Sequence, residues 1–286
     1  MAQLSTMPGF PHQRAPRKLR PRLRPAARRD RLRCLRAFLQ APASIQLLVL
    51  ITCLVTLWLC TNWVYQVLRK PTELLFPVSG VLGKTPSQTW HEYSPFFRRH
   101  STRVVTPQLL AALAQVEASG NPLVRTYWRW SWIAIMRPFE VYKPASSAVG
   151  MYQMTDGTFE EARRYCIHNH IAVRAAEQDI WHPCPLRQLY SRLIPSDAVQ
   201  LTAAYLDMHV SMILARHHGV HPSLAQRQDL AAVVHLCGAG AAELYAERGF
   251  RFAAAERCGD HDPRAYLARI SAMKAVFARL AAQDAP

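Results

Sequence analysis

Glu117 is the residue whose position suits it best to acid–base chemistry. It lies in the apolar stretch "LLAALAQVEASGNP" (Leu109–Pro122), where helical spacing i, i+3, i+4, i+7 aligns Leu110, Leu113, Ala114 and Glu117 on one face. Burial among apolar groups and the partial negative charge at a helix C-terminus both raise the pKa of a carboxyl group. We therefore expect Glu117 to keep its proton near neutral pH and to act as a general acid. The alternative is a solvated glutamate at the edge of the apolar face.

A second stretch, "SSAVGMYQMTDGTFEEA" (Ser146–Ala162), favours the general acid over the solvated glutamate. With the Glu117 stretch it resembles the SLT domain of lytic transglycosylases, within the goose-type lysozyme-like superfamily. That family carries a helix ending in its catalytic glutamate, then a Gly-Leu-Met-Gln element, then a helix with a threonine near its start. The later "DLAAVVHLCGAGAA" (229–242) resembles the family's Ala-Ala-Tyr-Asn-x-Gly stretch. The resemblance covers about residues 106–245.

The resemblance implies a mostly α, lysozyme-like transglycosylase domain that needs no cofactor or metal. It implies that Glu117 first acts as acid on the β-1,4 bond between N-acetylmuramic acid and N-acetylglucosamine. The same residue then takes the proton from the muramyl C6 hydroxyl, which closes onto C1 and gives a 1,6-anhydro product. The residues that the resemblance assigns to substrate binding are Ser147, Gly150, Met151, Tyr152, Gln153 and His235. Gly150 would let the backbone approach the sugar closely. The alternatives are core packing for Tyr152, bonds to buried backbone groups for Gln153 and a helix-end position for His235.

The chain departs from the family pattern at three positions. Ala118 follows the glutamate where the family has serine, and His235 and Leu236 stand at the tyrosine and asparagine positions. These departures leave open a non-catalytic peptidoglycan-binding scaffold. A hydrolytic muramidase on the same fold is the other alternative, and it requires a second carboxylate. The nearest candidates are Asp156 and Glu140.

Aromatic residues lie between these motifs. In "YWRWSW", Trp128, Trp130 and Trp132 alternate with other residues, which is typical of a strand. Aromatic platforms suit sugar rings, so these tryptophans are candidates for a substrate subsite, although packing is the commoner role.

The cysteines predict disulfides. Four lie beyond the apolar run, an even number in what we expect to be an oxidising compartment. Short loops favour the pairs Cys166–Cys184 and Cys237–Cys258, although other pairings are open. The alternative is a zinc site, but the spacing matches no zinc pattern well. Its residues would be Cys166, His168, His170, His182 and Cys184.

The elements that must position these residues are mostly helices. Caps and periodicity predict helices that begin at Thr106 with Pro107, after Thr155 or Thr158 through "TFEEARRYCI", near Ser196 up to Gly219, through "SLAQRQDLAAVVHLCG" up to Gly238, and from Asp262 with Pro263. Strand patterning is confined to 127–154 and predicts a small β-hairpin.

A membrane span precedes this body. The stretch "IQLLVLITCLVTLWLCTNWVYQVL" (Ile45–Leu68) is uncharged and long enough to cross a bilayer, which takes roughly 20 residues. Eleven Lys and Arg within residues 1–40 precede it and two follow it, an asymmetry that predicts a cytoplasmic N-terminus. A buried core helix is the alternative.

These observations predict a single-pass protein of the bacterial inner membrane with a periplasmic domain. Its partners are peptidoglycan glycan strands, the lipid bilayer and, as candidates, envelope-complex proteins. The basic tail suits orientation and anionic lipid better than specific nucleic acid. The predicted segments are a tail (1–44), the span (45–68), a stalk (69–105) and the catalytic domain (106–286).

Overall fold

A computed structural model describes residues 38–75, 80–131, 136–174, 189–217, 219 and 221–284. The chain forms two compact units, residues 1–60 and residues 61–286. In the first unit, the described part is mainly the beginning of helix α1 (Ala43–Arg69), and the last turns of α1 belong to the second unit. A short 3-10 helix, Pro71–Leu75, follows α1.

Helix α1 is apolar enough to cross a membrane. It is 27 residues long, and none of its most apolar stretch is buried. A second helix, Pro195–Arg216, is also long and apolar enough to cross a membrane, but two thirds of its most apolar stretch is buried. That burial is typical of a core helix. The position of α1 near the N-terminus and its exposure allow a membrane anchor there.

The second unit is mostly helical, with two small hairpins. The remaining helices are α2 (Pro86–His100), α3 (Pro107–Ala118), α4 (Asp156–Ala162), α5 (Pro195–Arg216), α6 (Leu224–Glu247) and α7 (Pro263–Gln283). Two antiparallel pairs join the strands β1 (Trp128–Trp130) with β2 (Tyr142–Pro144) and β3 (Tyr165–His168) with β4 (Ile171–Arg174). The predicted mostly α body is thus confirmed.

Helix α3 lies at the centre of this body. Every residue from Leu109 to Ala114 is fully buried, because α2, α5 and α7 all pack against α3. Its ends are as the sequence predicts. The Thr106 hydroxyl accepts from the amide of Leu109, Pro107 occupies the first turn, and the chain leaves the helix through Ser119 in a left-handed conformation.

The structure differs from the expectation of a stalk over residues 69–105. Residues 86–100 form helix α2, whose side chains Trp90, Tyr93 and Phe97 lie in the core against α3, α5 and α7. Thr85 caps this helix in a capping box with Gln88. The prediction missed α2 because its exposed face is strongly polar and the chain around it is rich in proline, glycine and serine.

Two further elements differ from the sequence prediction. The helix expected through residue 167 ends at Ala162, and the chain turns into the β3–β4 hairpin, which the sequence did not predict. The helix expected to end at Gly238 instead kinks there, with φ 80° and ψ 170°, and continues to Glu247. Gly238 tolerates this positive φ because it has no Cβ.

Candidate active site

The carboxylate of Glu117 lies where three helices meet. Glu117 is in the last turn of α3, and its side chain is 18% exposed. The hydroxyl of Tyr266, from α7, donates to Glu117 Oε1 at 2.6 Å. His235 Nε2, from α6, lies 3.6 Å from the same oxygen. Both of these contacts are made to Oε1.

Tyr266 is the site residue that the sequence reasoning missed. It lies in the first turns of α7, which begins at Pro263 and is capped by the side chain of Asp262. Its ring is buried, with 2% exposed. Burial, reinforced by the charge of Glu117 and the hydrogen bond to it, raises the pKa of the Tyr266 hydroxyl well above its usual value. The hydroxyl therefore stays protonated and remains a hydrogen-bond donor. Helical spacing in "DPRAYLARI" places Tyr266 on the buried face with Ile270, which is the one signal that the sequence offered.

The structure places His235 beside Glu117. His235 is on α6 three residues before the kink at Gly238, and its side chain is 12% exposed. The predicted disulfide Cys237–Cys258 is confirmed, with Cα atoms 5.1 Å apart. This bond ties the helix that carries His235 to the segment that leads into α7. His235 and Tyr266, which both lie beside the Glu117 carboxylate, are thus carried by elements that this disulfide links.

The Gly-Met-Tyr-Gln element forms a turn against the chain that follows α3. The carbonyl of Val124 accepts hydrogen bonds from the amide of Gly150 at 2.9 Å and from Gln153 Nε2 at 3.1 Å. Gly150 has φ 81°, and a Cβ there would lie 2.2 Å from the carbonyl oxygen of Arg192. The backbone of Arg192 therefore occupies the space on the Cβ side of Gly150.

Met151 and Tyr152 do not offer their side chains to a substrate. Both are buried in the core, at 0% and 1% exposure, and the Tyr152 hydroxyl donates to the carbonyl of Leu110. The structure corrects their assignment to sugar binding, because buried side chains have no surface for a ligand. Both instead attach the turn to α3, the helix that carries Glu117.

Gln153 and Ser147 also make structural contacts. The Gln153 amide donates to the carbonyls of Val124 and Gly150 and holds the turn in place. Ser147 Oγ accepts from the amide of Asp156 at the start of α4. Both side chains are only half-buried, so an accessible edge remains beside these bonds.

The two candidate second carboxylates are held in ion pairs. Asp156 bonds to the guanidinium of Arg192. Glu140 has Lys143, Arg137 and Arg69 within 4 Å. The hydrogen bond from Lys143, together with the charges of the cations around it, lowers the pKa of Glu140. A general acid needs a pKa shifted the other way.

The remaining candidates are placed as follows. Trp128 and Trp130 share one face of the β1–β2 hairpin, with ring centroids 5.1 and 4.6 Å from that of Tyr142. Trp132 lies outside the described residues. Cys166 is disulfide-bonded, so its sulfur is not a free thiolate ligand. His182 and Cys184 lie outside the described residues, and the pairing Cys166–Cys184 stays a prediction.

One other group in the described part of the chain has the composition of a metal site. His217, Glu243 and Glu247 place ligand atoms within 4.8 Å of one another. Both oxygens of Glu243, however, already pair with the guanidinium of Arg216, at 2.7 and 2.9 Å. That guanidinium neutralises the carboxylate that would ligate a cation. The group lies among different residues from those around Glu117.

Neither a protein-family model nor a curated protein matches the chain.

Proposed function

We propose that the protein is a membrane-anchored lytic transglycosylase with a lysozyme-like fold, acting on peptidoglycan glycan strands. The observation that carries the proposal is the Glu117 carboxylate: it lies in the last turn of a helix whose residues 109–114 are fully buried, its side chain remains 18% exposed, and one of its oxygens accepts a hydrogen bond from Tyr266 with His235 nearby. A lone acid held in this way suits a reaction in which one residue transfers a proton twice.

The contacts of Glu117 suggest a different role for each of its two carboxylate oxygens. Because Tyr266 donates to Oε1, we assign the transferable proton of the proposed reaction to Oε2. Glu117 gives this proton to the glycosidic oxygen as the bond to C1 breaks, which releases the N-acetylglucosamine hydroxyl. The muramyl C6 hydroxyl then attacks C1 and returns its proton to the carboxylate. No water is consumed, and the ion pairs of Asp156 and Glu140 fit a reaction with one carboxylate.

In this proposal α1 spans the bacterial inner membrane with the N-terminus in the cytoplasm. The anchor keeps the periplasmic domain near the wall, so that cleavage is local. Local cleavage suits work beside an envelope assembly, whose proteins would be further partners.

The test is product analysis with the full chain on purified sacculi, comparing wild type with Glu117→Gln. Wild type is expected to release 1,6-anhydro-muropeptides, and the variant to lose this activity by at least about a thousandfold, since the substituted amide cannot transfer the proton. Reducing-end products from wild type would indicate a hydrolytic muramidase instead.

One observation favours a second candidate, a non-catalytic peptidoglycan-binding scaffold. The residues that the resemblance assigns to sugar binding make contacts within the fold, and Arg192 backbone fills the space beside Gly150. Under this candidate, wild type and Glu117→Gln both bind sacculi and neither releases sugar products.

A further inference from the structure

Two polar residues are buried on a helix whose other faces are apolar and exposed. Asn62 and Gln66, in the last turns of α1, are 1% and 5% exposed. Asn62 Nδ2 donates to the carbonyl of Tyr142 at 2.8 Å, and Gln66 Nε2 donates to the carbonyl of Phe139. The spacing i, i+4 places both amides on one helix face. This face therefore holds the β1–β2 hairpin and the loop that leads into β2.

These contacts fix the position of the hairpin along the axis of α1, here called its level. Asn62 precedes Arg69 by seven residues, which corresponds to about 10 Å at the helical rise. At the same level Trp63 and Val64 are 48% and 49% exposed, and Leu68 above them is 76% exposed. If α1 spans a bilayer, these side chains face lipid. The hairpin that bonds to Asn62 and Gln66 must then lie at the same depth.

A buried charge cluster fixes the base of the hairpin. The Glu73 side chain is fully buried, with Lys70 Nζ at 3.4 Å and the guanidinium of Arg125 bonded to it. Trp128 Nε1 donates to the same carboxylate at 2.8 Å. Removing one partner of a buried ion pair is strongly destabilising. The hairpin is therefore attached firmly to the segment that leaves α1.

The exposed side chains of the hairpin are aromatic, apolar and cationic, and they lie on both of its faces, since Tyr127 and Arg129 alternate with Trp128 and Trp130 along the strand. Tyr127, Trp130 and Met136 are 71%, 50% and 90% exposed. Arg129 and Arg137 are exposed beside them. The single acid of residues 127–144, Glu140, is occupied by its ion pairs. Trp and Tyr are enriched at the membrane interface, and Arg there pairs with anionic headgroups.

We propose that the β1–β2 hairpin is a second membrane contact, with Tyr127, Trp130 and Met136 in the outer interface of an anionic phospholipid bilayer beside α1. The domain is then held at the bilayer surface in one orientation. This inference rests on the membrane span within the proposed function and is independent of the proposed chemistry.

A glycan strand is the competing occupant, because aromatic rings also stack on sugars. The depth of the hairpin favours lipid, since a sugar chain has no place at the level of Trp63 and Val64. The experiment distinguishes the two.

The full chain is reconstituted into vesicles of phosphatidylcholine and phosphatidylglycerol, with and without bromine on the acyl chains near the headgroup. Brominated lipid quenches tryptophan emission only at close range. Three variants are compared, each with one of the seven tryptophans replaced: Trp130→Phe, Trp63→Phe and Trp90→Phe. Trp90 is the matched control, because it is buried within the helical body at 3% exposure.

The measured quantity is the tryptophan emission that is lost when brominated lipid replaces ordinary lipid. Trp130→Phe and Trp63→Phe are each expected to reduce this loss by the contribution of one tryptophan, and Trp90→Phe is expected to leave it unchanged. An effect of Trp63→Phe without an effect of Trp130→Phe overturns the hairpin contact and leaves the span in place. No effect of either overturns the span and the inference together. A change in Trp130 emission on adding chitotetraose, without quenching by lipid, also overturns the inference and assigns the hairpin to sugar.

Discussion

Two buried tyrosines donate to helix α3, but only one of them reaches the Glu117 carboxylate. The Tyr266 hydroxyl bonds to Glu117 Oε1 at 2.6 Å, whereas the Tyr152 hydroxyl bonds to the carbonyl of Leu110 at 3.2 Å. In the proposed reaction Glu117 becomes ionised when it gives up its proton, and a hydrogen bond to an ionised group contributes about 1.5–3 kcal/mol, roughly twice the value for a neutral pair. At the scale of single residues, Tyr266 is therefore the strongest candidate for positioning the acid.

Tyr266→Phe removes this hydroxyl and keeps the ring. We expect kcat on sacculi to fall by about 10–100-fold, which is the loss of about 1.5–3 kcal/mol of orientation. KM should change little, because the ring packing remains. Tyr152→Phe, the control, should retain activity within about threefold. Equal losses in the two variants would assign both hydroxyls to packing alone.

At the scale of elements, the turn at residues 149–154 shows a glycine whose role is set by tertiary contact. Gly150 combines φ 81° with a carbonyl of Arg192 that occupies the position of a Cβ. Gly157, only seven residues away in α4, has open space at its Cβ position. The same substitution at these two sites therefore separates backbone constraint from any general effect of losing a glycine.

Gly150→Ala is expected to lower the free energy of unfolding by about 1–3 kcal/mol, since backbone must move to admit the methyl group. Gly157→Ala should be neutral or stabilising by up to about 1 kcal/mol, because alanine is the better helix former. Denaturant unfolding in mild detergent measures both. A neutral Gly150→Ala would show that the close approach of Arg192 is not required for the fold.

Local signals were sufficient to predict some elements but not the contacts between them. Thr106, Pro107 and Asp262 act within one turn of their own helices, so these helix starts can be predicted from the sequence alone. The bond from Tyr266 to Glu117 spans 149 residues, and no pattern in the sequence links the two. Gly150 was assigned to substrate approach for the same reason. Only the fold shows that Arg192 lies there.

At the scale of the whole molecule, one covalent bond and one buried histidine join distant elements. The disulfide Cys237–Cys258 links α6 to the segment before α7, and so links the carriers of His235 and Tyr266. His100, at the end of α2, is 6% exposed, and its Nε2 lies 3.2 Å from the Ser196 hydroxyl of α5. Each of these features can be removed without touching Glu117.

The double variant Cys237→Ser with Cys258→Ser should lower the free energy of unfolding by about 3 kcal/mol, the loop-entropy value for a closed segment of this length. The sequence separation is 21 residues. Activity should fall as well, because His235 and Tyr266 lose their shared constraint. Cys53→Ser, at a free exposed cysteine of α1, is the control and should alter neither. Full activity in the double variant would separate the disulfide from the site.

Burial, reinforced by the nearby charges of Arg99 and His170, lowers the pKa of His100 from 6.5 to about 4. The folded protein therefore binds fewer protons at His100 than the unfolded chain between these two pH values, and stability rises with pH across that window. Acidification from pH 7 to pH 4 should cost up to about 3 kcal/mol through this residue. His100→Gln keeps an amide near Ser196 and removes the titration. Its unfolding free energy should fall less than that of wild type over the same window, and identical pH profiles would exclude His100 as the cause.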